Sequence, residues 1–357
     1  MFPTAPIPGR LTGALLGQLV GDCIGLPREG LSPRRAAKLF GPEPRLTFVF
    51  GRGMMSDDTE HACLVGQALL RSGLEDPEAF ARSLAWGLRW WFAGLPAGLG
   101  KATLKACLKL WLGFPPHKSG VCSAGNGPAM RAALLGAALA NAGRETFGEY
   151  VLASTRLTHT DRKAELGALA VADGVRYLCR ETETKFHPIR FVKHLGSRFA
   201  NESEGFVEPL MRAVSQRCEP AEFFLEELGC PHGPTGYMFH TVPAAVWAFT
   251  GAPDDFRDVM RRCCALGGDC DTVAAIAGAL SGARLGPEGI PAEWLSGVLE
   301  YPRTVVWIRE LGERLEAKAQ GGEAEPMPLA WPGLLPRNIV FMTIVMAHAF
   351  RRMAPPY

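Results

Sequence analysis

The feature that most constrains this chain is a near-continuous succession of helix-period segments crowded with glycine and alanine. Apolar or small residues recur at helical spacing over 11–24, 57–72, 77–92, 102–112, 128–142 and 164–179. The same spacing returns over 207–214, 242–250, 256–266, 272–283 and 292–315. Period-2 alternation is scarce, and 46–50 is the one stretch that reads as a strand. Glycine and proline punctuate the rest, over 25–30, 94–100, 113–127, 229–236 and 286–291. Runs such as Gly13-Ala14-Leu15-Leu16-Gly17 and Gly278-Ala279-Leu280-Ser281-Gly282-Ala283 present faces that let helix backbones approach closely. This pattern predicts an all-α protein with a tightly packed core. The recurring Gly-Ala-Leu has no fixed period, so no repeat architecture is expected.

A chain of 357 residues with 47% hydrophobic and 21% charged residues is globular, which excludes a mostly disordered chain. No segment is polar enough to split it into two ordinary domains. The expected division is a body over 1–316, then a mobile loop at 317–324 and a helical appendage reaching 357. The late apolar run 338–350 is shorter than the ~20 residues a bilayer crossing takes, and reads as a terminal helix packed on the body. Lys and Arg total 38 against 36 Asp and Glu, a balance that predicts no strong electrostatic hold on nucleic acid or membrane. Ten cysteines without a C-x-x-C read as reduced thiols in a cytoplasmic protein. The first ten residues carry three prolines and no charged stretch before an apolar one, so no signal peptide is expected.

Five places can carry chemistry. Ser56-Asp57-Asp58-Thr59 follows a glycine-rich turn and opens a helix. Ser56 there reads as an N-cap and the acids as complements to the helix dipole. The same oxygens also form a ligand set for a hard divalent cation. Gly267-Gly268-Asp269-Cys270-Asp271-Thr272 opens another helix. Asp269 and Asp271, two apart in extended chain, point to one side and can reach one ion or bridge two. Together the two groups hold the inventory of a two-metal oxygen site. Glu29 falls just past a helix ending at Gly25, either as a solvated surface acid or as a gate or acid/base carboxylate beside the metals. Ser123-Ala124-Gly125-Asn126-Gly127-Pro128 is a glycine-rich turn feeding a helix, which suits a pyrophosphate. His159, in Thr158-His159-Thr160-Asp161, is either a core histidine or a phosphate ligand. The segment 94–102 looks like a nucleotide-binding P-loop, but five residues separate Gly94 from Gly100 and Ala102 follows Lys101.

In this order the motifs resemble the ADP-ribosylglycohydrolase family, over about residues 10 to 300. The carrying residues are Gly13 to Gly17, Gly21-Asp22, Gly25 and Glu29, then Asp57-Asp58-Thr59 and Gly125-Asn126-Gly127 with Met130-Arg131. Thr158-His159, Gly236-Tyr237, Thr241 to Ala245 and Gly267 to Gly278 complete them, the last being the most specific. The resemblance implies a compact orthogonal helical bundle with a binuclear metal cleft. Two divalent ions, Mg2+ or Mn2+, are implied. Ser56, Asp57 and Asp58 would ligate one, and Asp269, Asp271 and Thr272 the second. Ser123, Gly125, Asn126, Gly127 and His159 would hold the pyrophosphate and its neighbouring ribose, with Gly236 and Tyr237 toward the adenosine half. Cys270 is expected to face away from the metals.

The implied activity is hydrolysis of the glycosidic bond between ADP-ribose and a modified protein side chain or other macromolecular acceptor, releasing ADP-ribose. A nucleic-acid acceptor stays open, and no membrane partner is expected. Asp57 or Asp58 is expected to activate water, and Glu29 to gate the site or transfer a proton. Two alternatives remain at this level: a hydrolase of a small compound such as O-acetyl-ADP-ribose, and a non-catalytic ADP-ribose-binding or structural protein. Some family members carry an acid in the stretch matching 94–103, where this chain has none.

Overall fold

The computed structural model describes residues 7–197 and 204–355. The expectation of no leader segment rests largely on residues 1–6, which lie outside that range. Among the described residues there are eighteen α-helices, three short 3-10 turns and no strand, only isolated bridges. The all-α expectation holds.

Two helices form the centre. In Arg10–Gly25 every residue but Arg10 is buried, and in Cys270–Leu285 every residue but Leu285. A helix apolar or small all round belongs in the core. They run antiparallel at a separation that only glycine permits. A methyl group on Gly17 would stand 2.1 Å from the Gly278 carbonyl oxygen, and one on Gly278 would stand 2.2 Å from that of Gly17. At the other end a methyl on Gly25 would lie 2.5 Å from the Asp271 Cα. This locked register sets the loop after the first helix beside the start of the second. The small-residue faces read from the sequence therefore position chemistry as well as core.

Around this pair lie Asp57–Ser72, Ala129–Ala138, Arg162–Arg180, Met238–Gly251 and Val305–Ala319. Ser56 caps Asp57–Ser72 as expected, its Oγ accepting from the Asp58 N–H at 3.1 Å. Gly73 ends that helix with φ at 81°.

Three expectations change. Residues 46–50 form no strand, because Val49 pairs only with Arg52 inside its own turn. The predicted helix over 292–315 is two helices, Ala292–Gly297 and Val305–Ala319. Pro302 lies between them, and its ring and missing N–H break a helix. The apolar run 338–350 belongs to a longer helix, Leu334–Arg352. With the preceding turn, Trp331–Arg352 spans 22 residues and contains an 18-residue window of mean hydropathy 1.3, long and apolar enough by composition to cross a membrane. Its inner side packs on the body through Arg337, Asn338 and Phe341, all buried, while Ile339, Val340 and Phe350 are exposed. The helices Arg144–Arg156 and Pro188–Ser197 were not anticipated. Phe147, Tyr150, Val151 and Ser154 keep helical spacing, and all four are buried.

Candidate active site

The glycine-locked helix pair opens at one end onto a polar cleft of about 320 Å³. Its lining includes Glu29, Asp57, Asp58, Asp269, Asp271 and Thr272 from the acidic groups. Ser123, Gly125, Asn126, Gly127, His159 and Gly236 form a second wall. The two acidic corners meet: Thr272 Oγ1 donates to Asp58 Oδ2 at 3.2 Å.

Each corner is built by its own local chemistry. At the first, Ser56 is buried and its Oγ donates to Asp58 Oδ2 at 3.4 Å. Behind it stands Asp22, fully buried in the central helix. Asp22 accepts from the Ser56 N–H at 3.0 Å, from the Thr59 N–H at 3.1 Å and from the Thr59 hydroxyl at 2.6 Å. It fixes the start of the Asp57–Ser72 helix from another helix. Burial pushes the Asp22 carboxyl up to about 6, against the lowering effect of the Thr59 and Ser56 donors. Gln18, one turn earlier, donates to the carbonyls of Asp58 at 2.9 Å and Met130 at 2.6 Å, tying the cleft floor together.

At the second corner Gly267 and Gly268 take φ of 60° and 64°, a region that side chains resist. The bend lets Gly268 exchange backbone bonds with the Glu29 loop. Gly30 N–H donates to Gly268 O and Gly268 N–H to Leu31 O, each at 2.7 Å. The carboxylate oxygens of Glu29, Asp269 and Asp271 converge within 4.8 Å of one another. Glu29, read from the sequence as a gate or acid/base group, thus joins the second acidic corner. Cys270 turns away from it, its thiol aimed at the Cys263 carbonyl at 3.5 Å.

These residues fit a divalent cation. Asp58 Oδ1 and Asp271 Oδ1 are buried with no hydrogen-bond partner. A buried carboxylate oxygen without a donor is costly, and a hard cation is the partner that satisfies several at once. Burial first, then mutual repulsion, holds the Asp57, Asp58 and Asp271 carboxyls well above their usual range. Glu29 and Asp269 are also raised, again mainly by burial. The convergent triad could hold one ion; Asp57 and Asp58 lie outside it, across the same cleft.

The glycine-rich wall is held to the acidic one. Asn126 Nδ2 donates to Asp269 Oδ2 and, at 2.9 Å, to Thr241 Oγ1. Asn126 N–H donates to Gly236 O at 3.0 Å. His159 stacks its ring on this loop. A methyl on Gly125 would lie 3.0 Å from His159 Nε2, and one on Gly127 3.1 Å from its Cε1. Burial pushes the imidazole down to about 3, with Arg131 adding to the shift, so the ring is neutral at physiological pH. Thr158 Oγ1 accepts from Arg131 Nη2 at 2.7 Å and lies 2.8 Å from His159 Nδ1. With that hydroxyl donating to Nδ1, the ring proton sits on Nε2, a donor suited to an anion.

Tyr237 follows Gly236 at the edge of this wall. Its backbone pairs with Gly125, and its ring lies under Lys163 Nζ at 5.4 Å. The segment dismissed as a P-loop supplies a wall after all, through Gly98, Gly100, Lys101, Ala102 and Thr103. Sequence reasoning assigned no role to Asp22, Gln18 or Thr241. Asp22 and Thr241 stand in motifs that carry the family resemblance, and Gln18 is a polar residue inside an apolar helix.

Comparison with known proteins identifies the family. The family profile described as ADP-ribosylglycohydrolase matches residues 3–325. An uncharacterized protein of Archaeoglobus fulgidus is 30% identical over 86% of this chain and 95% of its own. An ADP-ribosyl-(dinitrogen reductase) glycohydrolase of Rhodospirillum rubrum is 27% identical, covering 80% and 89%. The ADP-ribosylhydrolase ARH3 of Homo sapiens is 25% identical, covering 85% and 92%. A solved structure titled ADP-ribosylglycohydrolase-related protein complex superposes with a TM-score of 0.62 at 29% identity, covering 87% of this chain and 96% of that one. The chain belongs to the ADP-ribosylglycohydrolase family.

Proposed function

We propose that this ADP-ribosylglycohydrolase family member is a divalent-metal-dependent hydrolase that releases ADP-ribose from a modified protein side chain or another macromolecular acceptor. One observation carries the reading. Two unpartnered buried carboxylate oxygens, on Asp58 and Asp271, face a cleft whose other wall is a glycine-rich loop with a neutral histidine donor. The first half suits cations and the second suits a pyrophosphate.

Ser56, Asp57 and Asp58 would hold one Mg2+ or Mn2+ ion, and Asp269, Asp271 and Thr272 a second, with Glu29 at the latter corner. Bound there, the cations supply Lewis-acid polarisation of substrate oxygens and of water. The chain supplies the rest. The Gly125 and Gly127 backbone and His159 Nε2 orient the pyrophosphate, so that the distal ribose reaches the acids. Asp57 or Asp58 takes a proton from the attacking water, and Glu29 closes the site or passes a proton. Asn126 couples the two walls through Asp269. Ten free thiols, eight of them buried, support a reducing cytoplasmic location.

The test is release of ADP-ribose from ADP-ribosylated proteins of defined linkage, alongside O-acetyl-ADP-ribose, with Mg2+, Mn2+ or excess chelator. Metal-dependent release from a modified protein supports the reading. Turnover that survives rigorous chelation removes the metal from it, and turnover of the small ester alone removes the macromolecular acceptor.

A further inference from the structure

The family match ends at residue 325, yet the helix that follows returns to the site. Leu334–Arg352 is clamped near its start by buried charge. Arg337 donates to Glu300 through Nη2 at 2.6 Å and Nε at 3.1 Å, and to the Met55 carbonyl through Nη2. Met55 directly precedes Ser56, so this end of the helix grips the first acidic corner. Further along, His348 stacks on Phe48 with ring centroids 5.2 Å apart. Fifteen residues after Arg337, roughly 22 Å at 1.5 Å per residue, the helix ends at Arg352. There Arg352 Nη2 donates to the Pro27 carbonyl at 3.0 Å, two residues before Glu29. Its Nε is buried without a partner. The end is tethered independently by Arg35, which donates to the Arg352 carbonyl.

We infer that Arg352 is a positioning residue for Glu29: the appended helix straps the 26–31 loop down, and the guanidinium holds Glu29 over the second acidic corner. The strap uses one donor on the loop backbone, two residues before Glu29. A helix clamped at one end by buried ion pairs is stiff enough to fix its other end, which a loop is not. The inference rests on the proposed role of Glu29 in hydrolysis, but the strap itself is testable without turnover.

The experiment compares full-length wild type with Arg352→Gln, Arg352→Lys and the neighbouring Arg351→Gln. The first readout is hydrogen exchange in metal-free protein at the Gly30 amide, which donates to Gly268 O. Arg352→Gln should exchange there at least ~10-fold faster, the equivalent of ~1.4 kcal/mol of lost local protection, with global Tm kept by the Arg35 tether. Arg352→Lys should restore most of the protection, and Arg351→Gln should match wild type. The second readout is Mg2+ affinity by calorimetry, in a cycle with Glu29→Gln. Arg352→Gln should weaken Mg2+ in the wild-type background and change little once Glu29 is gone. Wild-type exchange together with wild-type Mg2+ affinity in Arg352→Gln overturns the inference, as does additivity across the cycle. If no variant, wild type included, hydrolyses an ADP-ribosylated substrate while Gly30 exchange still responds, the strap stands and the functional reading falls.

Discussion

Thr272 Oγ1 donates to Asp58 Oδ2 across 3.2 Å, although 214 positions separate the two residues. That bond joins the first turns of two helices, each opening with carboxylates that have no protein donor for one oxygen. Such an arrangement is costly in the chain by itself, and a bound cation would offset that cost. Asp58→Asn and Asp271→Asn should therefore each lose hydrolysis by more than the ~10–100-fold typical of changes outside the ligand set. Metal-free Tm should stay level or rise, because a buried repulsive charge has gone. Parallel thermal melts with and without Mg2+ check this; near-wild-type turnover in both variants refutes it.

Cation binding should also depend on pH in a fixed direction. The carboxyls of Glu29, Asp57, Asp58, Asp269 and Asp271 are raised, and that of Asp22 lies at about 6. A carboxyl whose folded-state pKa exceeds its unfolded value binds more protons when folded. Its contribution to stability is then lost as pH rises through the folded value. At lower pH the cluster holds more of the protons that a cation must displace than it does at higher pH. The Tm increase produced by saturating Mg2+ should be larger at pH 8 than at pH 5.5. An equal or reversed increment would mean that Mg2+ acts elsewhere.

How much of this was legible in the sequence follows from which interactions are local. Ser56 as a cap, the paired acids at two helix starts and the Gly125–Gly127 turn each leave a short signature, since the residues that make the feature adjoin one another. Gly17 and Gly278 were legible as small faces but not as partners, because register is a property of two helices. Asp22 and Gln18 were not legible as site residues: a polar side chain in an apolar helix does not reveal which donor it will meet. The strap was invisible for the same reason. Nothing in the sequence pairs Arg337 with Glu300 or Arg352 with Pro27; only the fold brings them together.

The anion wall is tested apart from the acids. A methyl on Gly125 would press on His159 Nε2 at 3.0 Å and on Ser123 Oγ at 3.3 Å. The ring is buried and held by Thr158, so it has little room to give. Gly125→Ala should weaken ADP-ribose binding by ~10-fold or more, about 1.4 kcal/mol, by displacing the imidazole donor. Its Mg2+ response should stay at the wild-type level. Calorimetry with ADP-ribose and with Mg2+ alone separates the two; loss of both would show that the loop supports the acids and not the anion.

The last prediction concerns the charge network behind the first corner. Glu60 Oε1 accepts from Arg303 at 3.0 Å and from Arg337 at 3.4 Å, and its Oε2 accepts from Trp91 Nε1 at 2.6 Å. Glu300 accepts from Arg337 and from the Met55 N–H at 2.9 Å. Glu60, Glu300, Arg303 and Arg337 are all at most 9% exposed, so two arginines balance two carboxylates that water cannot reach. Removing one partner of such a set leaves the other charge stranded, at a cost of about 3–5 kcal/mol. Arg337→Met should lower unfolding free energy by that order in urea denaturation. It should also free the start of the Asp57–Ser72 helix, because the Met55 carbonyl loses its donor. Arg337→Met combined with Glu300→Gln should recover part of the loss, since it removes the charge that the single variant strands. A double variant no better than the single would place the cost in packing against Phe341 and not in the ion pairs.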